Sequence, residues 1–307
     1  MVAASRIFRS FSGMYPLGSV KPRRVKARQG NWHDAERAYR RCLELYAALG
    51  DESSATTVQL QRGNIAFERS RLEEAAAAYR DARATATKCG NFALLGSICG
   101  NLGVVATVRG DHVQAVLHYT EAIKAYSRIK HRYGICQTYQ NLGKCHAGQE
   151  DWATALSCYA KGEKLARELG TVDVLANLLV SRAIVHVARG ELEEAEVACA
   201  RARQLMDQLS SRIGMAECHK VEGMIDRERG LYPRATDHLE KGMAAFQDLE
   251  NDLGVAECEL ELAVVEQRQG ELVRARRRLE DSIRRFEQVG AAGDAQRGQA
   301  LLAEMAA

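Results

Sequence analysis

An alanine recurs every forty residues along this chain. Stepping from Ala35 gives Ala75, Ala115, Ala155, Ala195, Ala235 and Ala275, seven positions of seven. A repeat this strict divides the chain into copies of one supersecondary unit, so the fold follows from what one unit forms and how it stacks on the next. Other registers keep the same step. Five residues before the alanine stand Gly30, Ser70, Gly110, Glu150, Gly190, Gly230 and Gly270. Four residues after it stand Tyr39, Tyr79, Tyr119, Tyr159, Cys199, Leu239 and Leu279, and three further on Cys42, Ala82, Ala122, Gly162, Ala202, Gly242 and Ser282. From the second unit onward, Gly63, Gly103, Gly143, Ala183, Gly223 and Ala263 lie twelve residues before the alanine. The two tryptophans, Trp32 and Trp152, share one register.

Offsets of four and three put these positions on one helix face. Each unit therefore reads as two helices, A over 53–68 and B over 73–89 and their forty-residue copies, joined by a tight turn at the glycine register. Pro233 falls at the first position of a B helix, where its missing N–H is no loss. Gly50, Gly90, Gly170 and Gly290 fall just past B helices, as C-terminal caps do. The small registers predict close approach within each pair, with Gly103 facing Ala115. Composition agrees: 46% apolar and 27% charged residues, three prolines and 6% aromatics favour helix over strand. The expectation is an all-α chain with a half repeat at 30–50 and six helix pairs from about 53 to 290. A capping helix at 293–307 closes it, with Leu301, Leu302 and Met305 on its apolar side.

These residues resemble the tetratricopeptide repeat (TPR) family, whose pattern runs Trp-x2-Leu-Gly-x2-Tyr…Ala-x3-Phe…Ala…Pro over about 34 residues. "NLGVVATVRGDHVQAVLHYTEA" (101–122) and "NLGKCHAGQEDWATALSCYAKG" (141–162) carry it best. Here the period is forty, and the closing proline is replaced by Ala47, Thr87, Ser127, Arg167, Asp207, Gln247 and Glu287, so each B helix runs on to the later cap. This is similar to the longer-helix TPR class of spindle-orientation adaptors and bacterial transcriptional and signalling proteins. The resemblance implies a right-handed α-solenoid of antiparallel helix pairs over 29–307, with A helices lining a concave groove for a peptide or helix of a partner protein. Carried over, the inward positions are Asn64, Asn101, Gln137, Asn141, Lys144, Asn177, Ser181, Glu217 and Lys220. Amides dominate the first four units, and amides bond a peptide backbone whatever its sequence.

Other chemistries find less support. The family's carboxylate clamp for chaperone C-termini needs three cations, and the aligned positions Leu60, Asn64, Asn101, Gln137 and Asn141 hold none, so no such binding is expected. Cys145–His146 and Cys218–His219 are sequence neighbours, which point to different sides of a helix, and no Cys-x2-Cys exists. No metal, cofactor or small-molecule substrate is expected. Phosphate loops, zincin motifs and nucleophile elbows are missing, so the chain reads as non-catalytic. In "VRARRRLEDSIRRFE" (273–287) Glu280, Asp281 and Glu287 break up the arginines, which argues against nucleic acid. The reading is a monomeric scaffold or adaptor, with a regulatory module of a larger signalling or transcriptional protein as the alternative.

Residues 1–28 carry seven basic groups and no acid. Removing them from the net charge of +3 leaves −4 for residues 29–307, the wrong sign for holding a polyanion. The segment reads as a disordered basic tail without targeting. Its Arg- and Ser-rich composition also fits a mitochondrial transit peptide, though Pro16 and Pro22 interrupt the amphipathic helix that one needs. No apolar run is long enough to span a bilayer. Nine scattered cysteines suggest reduced thiols and a cytoplasmic setting, with the mitochondrial matrix as the alternative.

Overall fold

A computed structural model describes residues 29–69 and 71–305. The basic segment 1–28 lies outside them, as do Ser70 and the last two residues. Fourteen helices follow one another and no strand occurs among the described residues: α1 (Gln29–Ala48), α2 (Glu52–Glu68), α3 (Leu72–Lys88), α4 (Phe92–Val108), α5 (His112–Arg128), α6 (Arg132–Ala147), α7 (Trp152–Leu169), α8 (Val172–Ala188), α9 (Leu192–Gln208), α10 (Arg212–Glu228), α11 (Tyr232–Asp248), α12 (Asp252–Arg268), α13 (Leu272–Val289) and α14 (Ala292–Glu304). Even-numbered helices are the A helices and odd-numbered ones the B helices. The fold is an all-α solenoid of antiparallel helix pairs. Pro233 sits in the first turn of α11.

Left-handed residues punctuate the chain every twenty positions. After B helices these are Gly50, Gly90, Lys130, Gly170, Ser210, Glu250 and Gly290, and after A helices Gly110, Glu150, Gly190, Gly230 and Gly270, with φ between 48° and 81°. Beyond most of them the next N–H reaches back five residues, as Asp151 N to His146 O at 3.0 Å and Asn251 N to Phe246 O at 2.9 Å, which satisfies carbonyls the helix leaves open. The following A helix starts on a side-chain acceptor: Asp51, Asn91, Ser211 and Asn251 each accept an N–H three residues on at 3.0–3.2 Å.

Two compact units divide the chain. The first holds the described residues up to Thr107 together with Val113–Gly134; the second holds Val108–His112 and Ile135 onward. In the first, Tyr79, Ala82, Ile98, Cys99, Leu102 and Val105 form the core, and Tyr39, Cys42, Tyr46 and Val58 tie α1 to α2. In the second, Leu179, Ala183, Ala195, Met206, Cys218 and Val221 join α8, α9 and α10, and Leu260, Leu279, Phe286 and Ala295 join α12, α13 and α14.

The repeating alanines Ala75, Ala115, Ala155, Ala195, Ala235 and Ala275 are all fully buried. One detail adds to the expectation. What lies over Gly103 is the ring of Tyr119, one helical turn beyond Ala115. Tyr79 covers Gly63 and Tyr159 covers Gly143 in the same way. The reason is steric: the ring needs a flat floor, and only a residue without Cβ supplies one at that distance. Where the large residue shrinks to Leu239, Gly223 lies beneath it.

Two neighbouring interfaces in the second unit carry opposite charge polarity in one register. Glu163 of α7 is buried and pairs with Arg182 of α8 at 2.8 Å. One repeat later, Arg203 of α9 pairs with Glu222 of α10 at 2.5 Å. Eight of the nine cysteines are buried and all nine are free thiols; Cys89 is the exposed one.

Candidate functional site

In the first unit the predicted residues bond one another. Asn64 is 7% exposed. Its Oδ1 accepts from Tyr79 Oη at 2.8 Å and from Asn101 Nδ2 at 2.9 Å, and its Nδ2 donates to Gln61 Oε1 at 3.3 Å. These amides link α2, α3 and α4. Asn101 stays half-buried, and Asn64 has little surface left for a ligand.

The second unit is different, because its inner face turns from amide to charge along the stack. Gln137, Asn141 and Lys144 follow one another on α6 at offsets of four and three, on one face; the amides are half-buried and Lys144 is exposed. On α8, Asn177 is half-buried, while Ser181 is buried and donates to the Asn177 carbonyl at 3.0 Å. On α10, Glu217 and Lys220 are buried and pair at 3.0 Å. Lys220 also pairs with Glu257 of α12 and stands 5.9 Å from the centre of the Phe246 ring. Deeper along the same helices, buried Arg227 pairs with buried Glu261, Arg297 of α14 reaches Glu261 at 3.4 Å, and Arg268 grips both oxygens of Glu228 at 2.9 Å. Burial lowers the Arg227 pKa against the pull of Glu228. Charges this far from bulk water persist because each has a partner.

Two ionisable side chains in this hollow form no ion pair. Lys144 keeps exposed surface, yet protein surrounds it closely enough that lost hydration lowers its pKa; Glu257 raises it and Lys220 lowers it further. Asp294, in the first turn of α14, keeps exposed surface, yet the protein around it removes enough hydration to push its pKa up to about 6; Glu257 adds to the rise, and Arg297 and Lys220 pull the other way. Glu257 thus acts on both α6 and α14. Glu257 and Lys220 are the charges that Lys144 of α6 and Asp294 of α14 both feel, although those two helices are eight apart in sequence. The arrangement offers an unpaired cation and an unpaired carboxyl, separated by a network of paired charges.

Several of these residues were missed in the sequence. The signal was available: the forty-residue step through Gln137, Asn177 and Glu217 continues to Glu257 and Arg297. Asp294 follows no such ladder, since Gly254 and Gly214 precede it in register. His146 and His186 serve the turns that follow them. His146 Nδ1 lies 3.2 Å from Asp151, and His186 Nδ1 lies 2.7 Å from Glu191. Glu191 lies below the usual carboxylate range chiefly because of that imidazole.

Stacked helix hairpins with a repeating small register define the class as an α-helical repeat protein. The family model described as tetratricopeptide repeat matches residues 94–168. No curated protein sequence matches the chain significantly. Among solved structures, the apo form of RapI is similar over 93% of this chain and 99% of its own, at 13% identity and a TM-score of 0.76. A Rap protein complexed with Competence and Sporulation Factor is similar over 99% of this chain and 91% of its own, at 13% identity and a TM-score of 0.60. The Rap conjugation gene regulator of the plasmid pLS20, in complex with the Phr* peptide, is similar over 84% and 76%, at 14% identity and a TM-score of 0.60. At these identities the likeness is one of fold. Among the described residues no helix is long and apolar enough to cross a membrane.

Proposed function

We propose that the chain is a non-catalytic adaptor that holds an extended peptide or helix of a partner protein on the inner face of its A helices. The observation that carries this reading is the pair of unpaired groups in the second unit. Lys144 and Asp294 are held in surroundings that disfavour their charged forms, and each regains that lost solvation when an opposite charge arrives. A ligand with an acidic group at the α6 end and a basic one at the α14 end answers both. Between them, Gln137, Asn141 and Asn177 bond the ligand's backbone. Structures of similar fold that contain Competence and Sporulation Factor or the Phr* peptide support a peptide-sized occupant. Buried Glu217, Lys220, Arg227 and Glu261 satisfy one another and shape the floor.

The test is a selection of random peptides displayed on phage against the whole chain, followed by affinity measurements on the winners. Binding should fall at least about tenfold in Lys144→Ala and again in Asp294→Asn, the size expected for loss of a charge-assisted contact of 1.5–3 kcal/mol. Peptides that bind the double variant as tightly as wild type refute the reading.

A further inference from the structure

His219, Glu222 and His238 converge outside the hollow. His219 and Glu222 are one turn apart on α10 and face α9 and α11, and His238 comes from α11. His219 Nδ1 and His238 Nδ1 are 3.4 Å apart, and each lies 3.2 Å from Glu222 Oε2. Three electron-pair donors therefore form a triangle with edges of 3.2, 3.2 and 3.4 Å. A zinc ion with bonds of about 2.0–2.1 Å holds its tetrahedral ligands about 3.3 Å apart, so this triangle matches one face of that tetrahedron. Glu222 Oε2 is buried, and the two imidazole nitrogens at 3.2 Å are the groups that face it. Two imidazoles and a carboxylate suit a borderline-soft divalent cation.

The surroundings agree. Glu222 Oε1 is held by Arg203 at 2.5 Å, which fixes the carboxylate and leaves Oε2 to point at the triangle. His238 Nε2 lies 3.8 Å from Asp226 Oδ2, a buried carboxylate oxygen that also faces Arg234 Nε at 3.4 Å. Metal-bound histidines commonly present their second nitrogen to such a carboxylate. His219 also lines a surface pocket with Met206, Arg212, Met215 and Lys241, and the three side chains keep 20–22% of their surface exposed, which leaves the cluster within reach of solvent. The other repeats lack the set: the positions forty residues on are Glu259, Leu262 and Arg278, and forty residues back Leu179, Arg182 and Ala198.

We infer that His219, Glu222 and His238 bind one zinc-class divalent cation, joining α10 to α11 through three ligands and keeping a fourth position open to solvent or to a side chain of a partner. The pairing of His238 with His219 is invisible to local motif reading because nineteen residues and a turn separate them.

The test uses the full chain with Cys89→Ser, which removes the exposed thiol as a rival ligand. After chelator treatment, zinc is titrated in competition with a chromophoric chelator, and cobalt is titrated as a spectroscopic probe of tetrahedral geometry. One ion per chain with a micromolar or tighter Kd, intense tetrahedral cobalt bands and a zinc-dependent rise in melting temperature are expected. His219→Ala, His238→Ala and the near-isosteric Glu222→Gln should each weaken binding more than about tenfold, with Asp226→Asn nearer tenfold, as for outer partners of metal ligands. His186→Ala, whose imidazole serves its own turn, should change nothing. Absence of binding at tens of micromolar zinc, or equal affinity in His238→Ala and His186→Ala, overturns the assignment.

Discussion

The ring of Tyr159 rests on Gly143 so closely that a β-carbon at Gly143 would stand 2.3 Å from Cε1. Tyr159 is buried and cannot swing away without opening the α6–α7 interface. Gly143→Ala should therefore destabilise the chain by about 1–3 kcal/mol despite the better helix propensity of alanine. Tyr159→Leu on the Gly143→Ala background should recover part of the loss, as the same two registers naturally hold alanine and leucine at Ala263 and Leu279. Urea melts of the two single variants and the double variant measure the coupling; additive effects would show that the ring and the glycine do not bear on each other.

The left-handed positions give a second expectation. Glu150 at φ 59° and Ser210 at φ 48° occupy a backbone region that favours glycine. Glu150→Gly and Ser210→Gly should each stabilise by roughly 0.5–1 kcal/mol, the left-handed strain relieved less the added freedom of the unfolded chain. Gly230→Ala, at φ 74°, should shift the thermal midpoint the opposite way. Equal melting temperatures for all three variants would contradict this.

Asp294 sets a pH dependence with a definite sign. Its folded pKa, about 6, lies above the ordinary aspartate value of 3.8, so the folded chain favours the protonated acid. Its contribution to stability is complete below the unfolded pKa and is lost as pH rises through the folded one. Asp294→Asn should match wild type in thermal melts near about pH 4 and exceed it at about pH 7, the divergence opening between those limits. A gap that widens toward acid would contradict the assignment.

Acidic C-terminal peptides of the chaperone type should not bind. Of the aligned positions, Leu60 is buried and Asn64 is engaged by Tyr79 and Asn101, and none of the five carries a positive charge to hold a terminal carboxylate. Fluorescence anisotropy with such a peptide should show no saturation up to high micromolar protein. Micromolar affinity would require another cationic site.

Helix positions were legible almost to the residue, because the forty-residue spacing marks the turns and the buried alanines together. Pairing was less legible: Gly103 lies under the Tyr119 ring, and sequence offsets do not show how far a ring reaches. The left-handed backbone at Lys130, Glu150, Ser210 and Glu250 was hidden by side chains that do not announce it. On the A helices, the ladder through Gln137, Asn177 and Glu217 could be read, whereas the shared field of Lys144, Glu257 and Asp294 joins residues too far apart in sequence for any local pattern to encode. The His219–Glu222–His238 triangle escaped notice for a related reason, its third corner arriving from the opposite arm of a hairpin.

The reversed polarity of Glu163–Arg182 and Arg203–Glu222 bears on how such a gene can evolve. Near-identical modules invite unequal recombination, and excising the forty codons for residues 164–203 would leave reading frame and turn spacing intact. The shortened product would bring Glu163 against Glu222, a buried anion against a half-buried one in place of two neutralised couples. Alternating signs at this register thus work as an address label, telling adjoining modules apart where their shapes alone would let them be exchanged.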